Sequence, residues 1–322
     1  MSILESGLQE RLSQRGVTRR QFLKFCGLLT TTLALPAPYT TRIAHALLTN
    51  PRPPLVWLEF QDCTGDTESF LRSSQPGVDE LLLDLLSLDY HETLMVPAGA
   101  GTEQSLYDTM TNFPRQYICV VEGSIPTAAG GIHCMIRGRT ALSIVQEVCN
   151  NALATLAVGT CAWDGGLAAA LPNPTGAVGV KDAVPSLQPL ISLPGCPANV
   201  VNITATIAHY LTFDEWPRTD GLGRPRFAYH EELHDECERH DHYEAERFVR
   251  TWGDEGHRQG WCLLKMGCKV KRAHHNCPTV KWNDGTSWPV AAGHGCLGCA
   301  ETNFWDRMSP FYAPIGGDDD DD

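Results

Sequence analysis

From residue 54 to about 210, short apolar runs alternate with longer stretches of helical period. The runs at 55–60, 92–96, 117–121, 153–158 and 189–193 read as buried strands. Helical segments follow or separate them at 78–88, 104–112, 141–150 and 198–211. This alternation predicts an α/β fold with a doubly wound parallel sheet of about five strands. Ligands of such sheets collect outside the carboxyl ends of the strands. Beyond residue 212 the alternation fades, and Pro, Gly and charged residues rise. That part is expected to be irregular and to need staples, which metal centres can supply.

At the N-terminus, Thr18-Arg19-Arg20-Gln21-Phe22-Leu23-Lys24 pairs two arginines with a Phe-Leu-Lys run, and Phe25 to Leu35 is apolar. The apolar run is too short to span a bilayer as a helix. Ala44-His45-Ala46 is a cleavage-site pattern, so residues 1–46 read as a twin-arginine signal peptide for export of an already folded protein. At the other end, residues 311–322 finish in a run of Asp and read as an acidic, solvated tail.

Composition narrows the chemistry. The chain has 322 residues and 43% hydrophobic content, ordinary for a globular protein. A net charge of −13 argues against nucleic-acid binding, which needs a basic surface. Thirteen cysteines are many for this length and leave disulfides, zinc or iron–sulfur clusters as options.

The cysteines fall in groups. Cys63 and Asp66 follow the first predicted strand in Asp62-Cys63-Thr64-Gly65-Asp66, Cys161 follows the fourth, and Cys196 follows the fifth. Three strand ends would thus bring three thiols and a carboxylate to one edge. A second group is His234-x-x-Cys237 with Cys262 and Cys268, and a third is Cys277, Cys296 and Cys299. Soft thiolates in such groups suit iron–sulfur clusters or zinc. Structural zinc more often uses knuckles close in sequence than donors drawn from distant strands. Cys119, Cys134 and Cys149 lie away from the strand ends and read as small buried hydrophobes. His230, His240 and His242 read as solvated.

These residues resemble the small, electron-transferring subunit of nickel–iron hydrogenases over nearly the whole chain. The resemblance rests on Cys63-Thr64-Gly65, Val121-Glu122-Gly123-Ser124-Ile125-Pro126, Pro172-Asn173-Pro174-Thr175-Gly176 and Pro194-Gly195-Cys196-Pro197 in the first part. In the second it rests on Gly253-Asp254-Glu255-Gly256, Gly260-Trp261-Cys262, Asn276-Cys277-Pro278 and Cys296-Leu297-Gly298-Cys299. It implies a flavodoxin-like domain at 47–212 with a proximal cluster, and an irregular C-terminal domain at 213–310 with medial and distal clusters. It implies a [4Fe–4S] proximal cluster on Cys63, Cys161, Cys196 and Asp66, and a medial [3Fe–4S] cluster on Cys277, Cys296 and Cys299, with Pro289 where a fourth thiol would sit. It implies a distal [4Fe–4S] cluster on His234, Cys237, Cys262 and Cys268. The partner would be a large subunit that holds the nickel–iron site, and the acceptor a further protein or a membrane cytochrome. The expected location is the periplasm or the outer face of the cytoplasmic membrane, with no membrane span in the mature chain.

The chain departs from the family pattern at Asp66, where a fourth proximal thiol is usual. It has Val270-Lys271 in place of Gly-Pro after Cys268-Lys269, and it lacks the hydrophobic C-terminal anchor of many exported members. Gly65 and Gly166 replace the extra cysteines of one oxygen-tolerant branch. Two other readings stand beside this one. One is the iron–sulfur subunit of a different redox complex, and the other is an exported binding protein stabilised by disulfides or zinc.

Overall fold

All six residues of β1, Pro54–Glu59, are buried, as a strand covered on both faces requires. It lies inside a five-stranded parallel sheet with β2 (Ser87–His91), β3 (Ile118–Glu122), β4 (Ala154–Val158) and β5 (Leu190–Leu193), in the order β2-β1-β3-β4-β5. This is the flavodoxin-like order, with its switch point between β1 and β3. The computed structural model describes residues 18–49, 52–73, 86–283 and 285–314.

The period of two in the strands divides the core. Leu55, Trp57, Ile118, Val120, Leu156 and Ile191 pack on one face of the sheet. Val56, Leu58, Cys119, Val121 and Ala157 pack on the other. The first face is covered by the helix Val200–Phe213, whose start is fixed by Asn199: its side chain accepts from the backbone N–H of Val201 at 2.9 Å. Such a cap contributes about 1 kcal/mol. The twin-arginine segment forms the helix Arg19–Thr32, begun by a capping box between Thr18 and Gln21. With the helix Tyr39–Thr49 it adds Phe22, Phe25, Cys26, Leu29 and Ile43 to the same core.

The second strand corrects the sequence reading. It lies at Ser87–His91, and 92–96 form a turn in which Met95 N–H donates to the His91 carbonyl. Leu94, Met95 and Val96 imitate a strand, yet Val96 is 98% exposed. Glu59 holds the turn, accepting from the Thr93 N–H at 3.0 Å and from its hydroxyl at 2.7 Å. Of the helix expected at 78–88, residues 78–85 lie outside the described residues and 87–88 belong to β2. The helix Ala141–Asn150 stands where expected. The helix expected at 104–112 begins earlier, at Ala100.

After residue 213 the described residues form short turns of helix and no named strand. A small core holds this part, with Leu233, Val249, Leu263, Val270, Trp288 and Val290 packed beside Cys237 and Cys268. Buried Arg224 ties it to the sheet domain by lying 5.6 Å from the Trp163 ring centroid, while within its own part it pairs with Asp220 at 2.8 Å and Glu301 at 3.3 Å and donates to the Ala300 carbonyl at 2.9 Å. Asn202 and Asn276 exchange amide hydrogen bonds at 2.9 Å across the same seam.

Candidate metal centres

The carboxyl ends of β1, β4 and β5 meet as the topology dictates. Cys63 and Asp66 leave β1, with Asp66 in the short helix Gly65–Leu71. Cys161 sits in the helix Gly159–Asp164 directly after β4. Cys196 sits in the loop after β5. Crowding by the surrounding protein pushes the Cys161 and Cys196 thiols up to about 12, although Cys196 keeps an exposed edge. Each of these thiols has Asp66 and Cys63 among the groups that influence it. Backbone approaches these donors closely. A Cβ on Gly65 would lie 3.0 Å from Cys63 Sγ, and one on Gly166 would lie 2.7 Å from Cys161 Sγ. A side chain at Gly65 would press on the Cys63 sulfur, and one at Gly166, where φ is +51°, would need Cys161 to shift. Gly159, at φ +81°, lies against the Asp66 carboxylate, where a side chain would collide.

Asp66 is only 7% exposed. Its Oδ1 accepts from the Ala198 N–H at 2.6 Å, which anchors it to the loop bearing Cys196. Burial, with the nearby charges of Glu122 and Asp62, pushes its carboxyl up to about 8. Sequence reasoning misses Glu122, although a Glu closing an otherwise apolar strand is a visible signal. Fully buried, it accepts from the N–H groups of Asp66 at 2.9 Å and Thr67 at 3.0 Å, the Thr67 hydroxyl at 2.6 Å and Trp57 Nε1 at 3.1 Å. The three bonds to Asp66 and Thr67 fix the helix start that carries Asp66, and the fourth ties Glu122 to β1.

Cys277, Cys296 and Cys299 line one apolar cavity of 460 Å³ with Pro289, and Cys196 of the first group opens onto it. Burial raises all three thiols, and Cys299 raises the other two further. His275, which sequence reasoning also misses, lies 3.0 Å from Cys277 Sγ through Nδ1. Burial holds this imidazole down at about 3, so it stays neutral. Next in line, Cys268 Sγ accepts from the Cys296 N–H at 3.2 Å. Cys268, Cys262 and Cys237 feel one another's charge. His234 stands nearby with Nδ1 buried and without a hydrogen-bond partner among the described residues.

The donors fit iron–sulfur clusters. All thirteen cysteines are free in this structure. Among the described residues, only Glu59, Asp62 and Glu122 bring three such donor atoms within 4.8 Å of one another, the spacing that suits a single ion. The thiol groups are spread wider, as a polynuclear cluster needs and a single zinc does not. Buried thiols this far raised ionise only when a metal displaces their protons. The other cysteines are structural: Cys119 and Cys149 are buried with sulfurs 3.7 Å apart, and Cys134 is partly buried.

Parallel sheet, strand-end thiols and a cysteine-rich second domain together define an α/β protein whose thiol groups suit iron–sulfur clusters. Residues 63–210 match the family model of the NADH ubiquinone oxidoreductase 20 kDa subunit, and residues 229–312 match that of the C-terminal region of the NiFe/NiFeSe hydrogenase small subunit. The chain is 45% identical to the periplasmic [NiFe] hydrogenase small subunit 1 of Nitratidesulfovibrio vulgaris, over 96% of this chain and 97% of that one. It is 43% identical to the uptake hydrogenase small subunit of Azotobacter vinelandii, over 97% and 86%. A solved [NiFeSe]-hydrogenase from Dm. baculatum superposes with a TM-score of 0.77 at 30% identity, covering 83% of this chain and 100% of that one. The chain belongs to the small subunits of nickel–iron hydrogenases. A second module matched over 229–312 removes the reading as another redox complex that shares only the sheet domain.

Proposed function

We propose that this chain carries electrons from hydrogen oxidation, performed on a nickel–iron large subunit, through three clusters to an external acceptor. The observation that carries the reading is the continuity of the donor groups. Cys196 of the proximal group faces the cavity of the medial group, and Cys296 of the medial group is hydrogen-bonded to Cys268 of the distal one. An iron–sulfur cluster supplies reversible one-electron storage at a potential set by its type, charge and surroundings. The protein supplies order, spacing and dryness.

The proximal cluster is a [4Fe–4S] centre on Cys63, Cys161, Cys196 and Asp66. Its Cys63 and Cys196 edge is exposed, which suits entry from the partner. The medial cluster is a [3Fe–4S] centre on Cys277, Cys296 and Cys299, since Pro289 offers no fourth donor. The distal cluster is a [4Fe–4S] centre on His234, Cys237, Cys262 and Cys268. Neutral His275 supports the medial group by contacting Cys277 without adding charge. Hydrogen-driven reduction of the clusters in the purified heterodimer tests this reading: all three should take up electrons from hydrogen, and clusters that stay oxidised would overturn it.

Export follows from Arg19-Arg20, and the relatives named periplasmic and uptake hydrogenase subunits support it. Among the described residues no helix is long and apolar enough to cross a membrane. Replacing both arginines with Lys should hold the precursor and its large subunit in the cytoplasm. Cell fractionation checks this, and normal export of the variant would remove the assignment.

A further inference from the structure

Beside the distal donors, two cations sit over two touching aromatic rings. The Tyr243 ring stands edge-on to that of His234, with centroids 4.6 Å apart and planes at 87°. His240 packs 4.6 Å from the same imidazole. Lys271 Nζ donates to the Tyr243 hydroxyl at 2.9 Å and lies 4.8 Å from the ring centroid. Phe248 touches Tyr243 at 6.0 Å, and Lys265 Nζ lies 5.8 Å from the Phe248 centroid. Lys271 belongs to the short 3-10 turn Val270–Arg272, close behind Cys268 in the chain. Its backbone is thus tied to one distal donor, and its ammonium to the packing of another.

We propose that Tyr243 and Lys271 are a positioning pair for the exit cluster: Tyr243 fixes the His234 ring, and Lys271 sets a positive charge beside the cluster that raises its reduction potential. The proposal rests on His234, Cys237, Cys262 and Cys268 being the distal ligands. Reduction adds one negative charge to a cluster, so a nearby cation favours the reduced form. Partial burial of the pair weakens the screening that would cancel this at a surface. The ammonium lies over the ring that packs against His234, and its backbone follows Cys268 by three residues, so the charge is held beside two of the four donors. A higher exit potential would draw electrons outward from the medial centre and hold them until an acceptor arrives.

The test is a potentiometric titration of the intact heterodimer, following the distal cluster by electron paramagnetic resonance. Lys271→Met keeps an unbranched stem on Tyr243 and removes the charge. The distal midpoint should fall by about 59 mV, a tenfold change in a one-electron equilibrium, with the medial midpoint unmoved. Lys271→Arg should keep the parent value. Tyr243→Phe keeps the ring but removes the hydroxyl that holds the ammonium, and should lower the midpoint by less. An unchanged midpoint in Lys271→Met, or an equal fall in Lys271→Arg, overturns the proposal. A parent heterodimer without a distal cluster to titrate overturns the ligand reading beneath it, a result distinct from an unchanged midpoint.

Discussion

Cys161→Ser is expected to abolish hydrogen-driven reduction of an artificial acceptor while leaving hydrogen–deuterium exchange at the large subunit's active site. Cys161 follows β4 directly and is partly buried, so no neighbouring thiol can replace it without moving the strand end. A hydroxyl is a harder donor than a thiolate and suits iron–sulfur chemistry poorly. Loss of a mere supporting partner around a metal already costs roughly 10–100-fold, and loss of a ligand at the entry of the relay should cost more. Exchange requires no electron to leave the large subunit, so it separates a broken relay from a failed assembly. Near-parent acceptor reduction by the variant would show that Cys161 holds no cluster on the path.

Asp66 is the second position with a large expected effect. Asp66→Cys should give an all-thiolate proximal cluster with a shifted potential. Asp66→Asn should lose proximal iron. Asn preserves an oxygen for the Ala198 N–H, the hydrogen bond that Asp66 makes at 2.6 Å, but offers no anionic donor. It therefore separates ligation from simple anchoring of the loop. A carboxylate is the harder ligand, so the parent's proximal iron should be the most readily released of the three centres. Metal analysis and the visible spectrum check this. If Asp66→Asn keeps the parent's iron content, spectrum and activity, Asp66 is an anchor and not a ligand.

The sheet was legible because its strands are buried on both faces and read as continuous apolar runs. Where apolar character did not mean burial, the reading failed: Leu94, Met95 and Val96 look like a strand, while the true β2 carries Asp89 and His91 and looks less apolar. That Cys63, Cys161 and Cys196 would lie at the same edge was legible because each follows a strand of one parallel sheet. What supports them was not. Glu122 reaches Asp66 and Thr67 from a strand far away in sequence, and His275 touches Cys277 only through the folded turn. The first of these depends on tertiary approach, which spacing along the chain does not encode, and the second on the local backbone turn. Likewise Tyr243 reads as an ordinary residue in a charged stretch until the fold sets it against His234.

The most direct test of the relay is electron paramagnetic resonance of the purified heterodimer, oxidised under argon and then exposed to hydrogen with no added mediator. The account predicts a [3Fe–4S] signal in the oxidised protein, from the group Cys277, Cys296 and Cys299, that disappears under hydrogen as electrons arrive through the proximal centre. A colourless, iron-free chain, or a cluster signal that hydrogen leaves untouched, would contradict it.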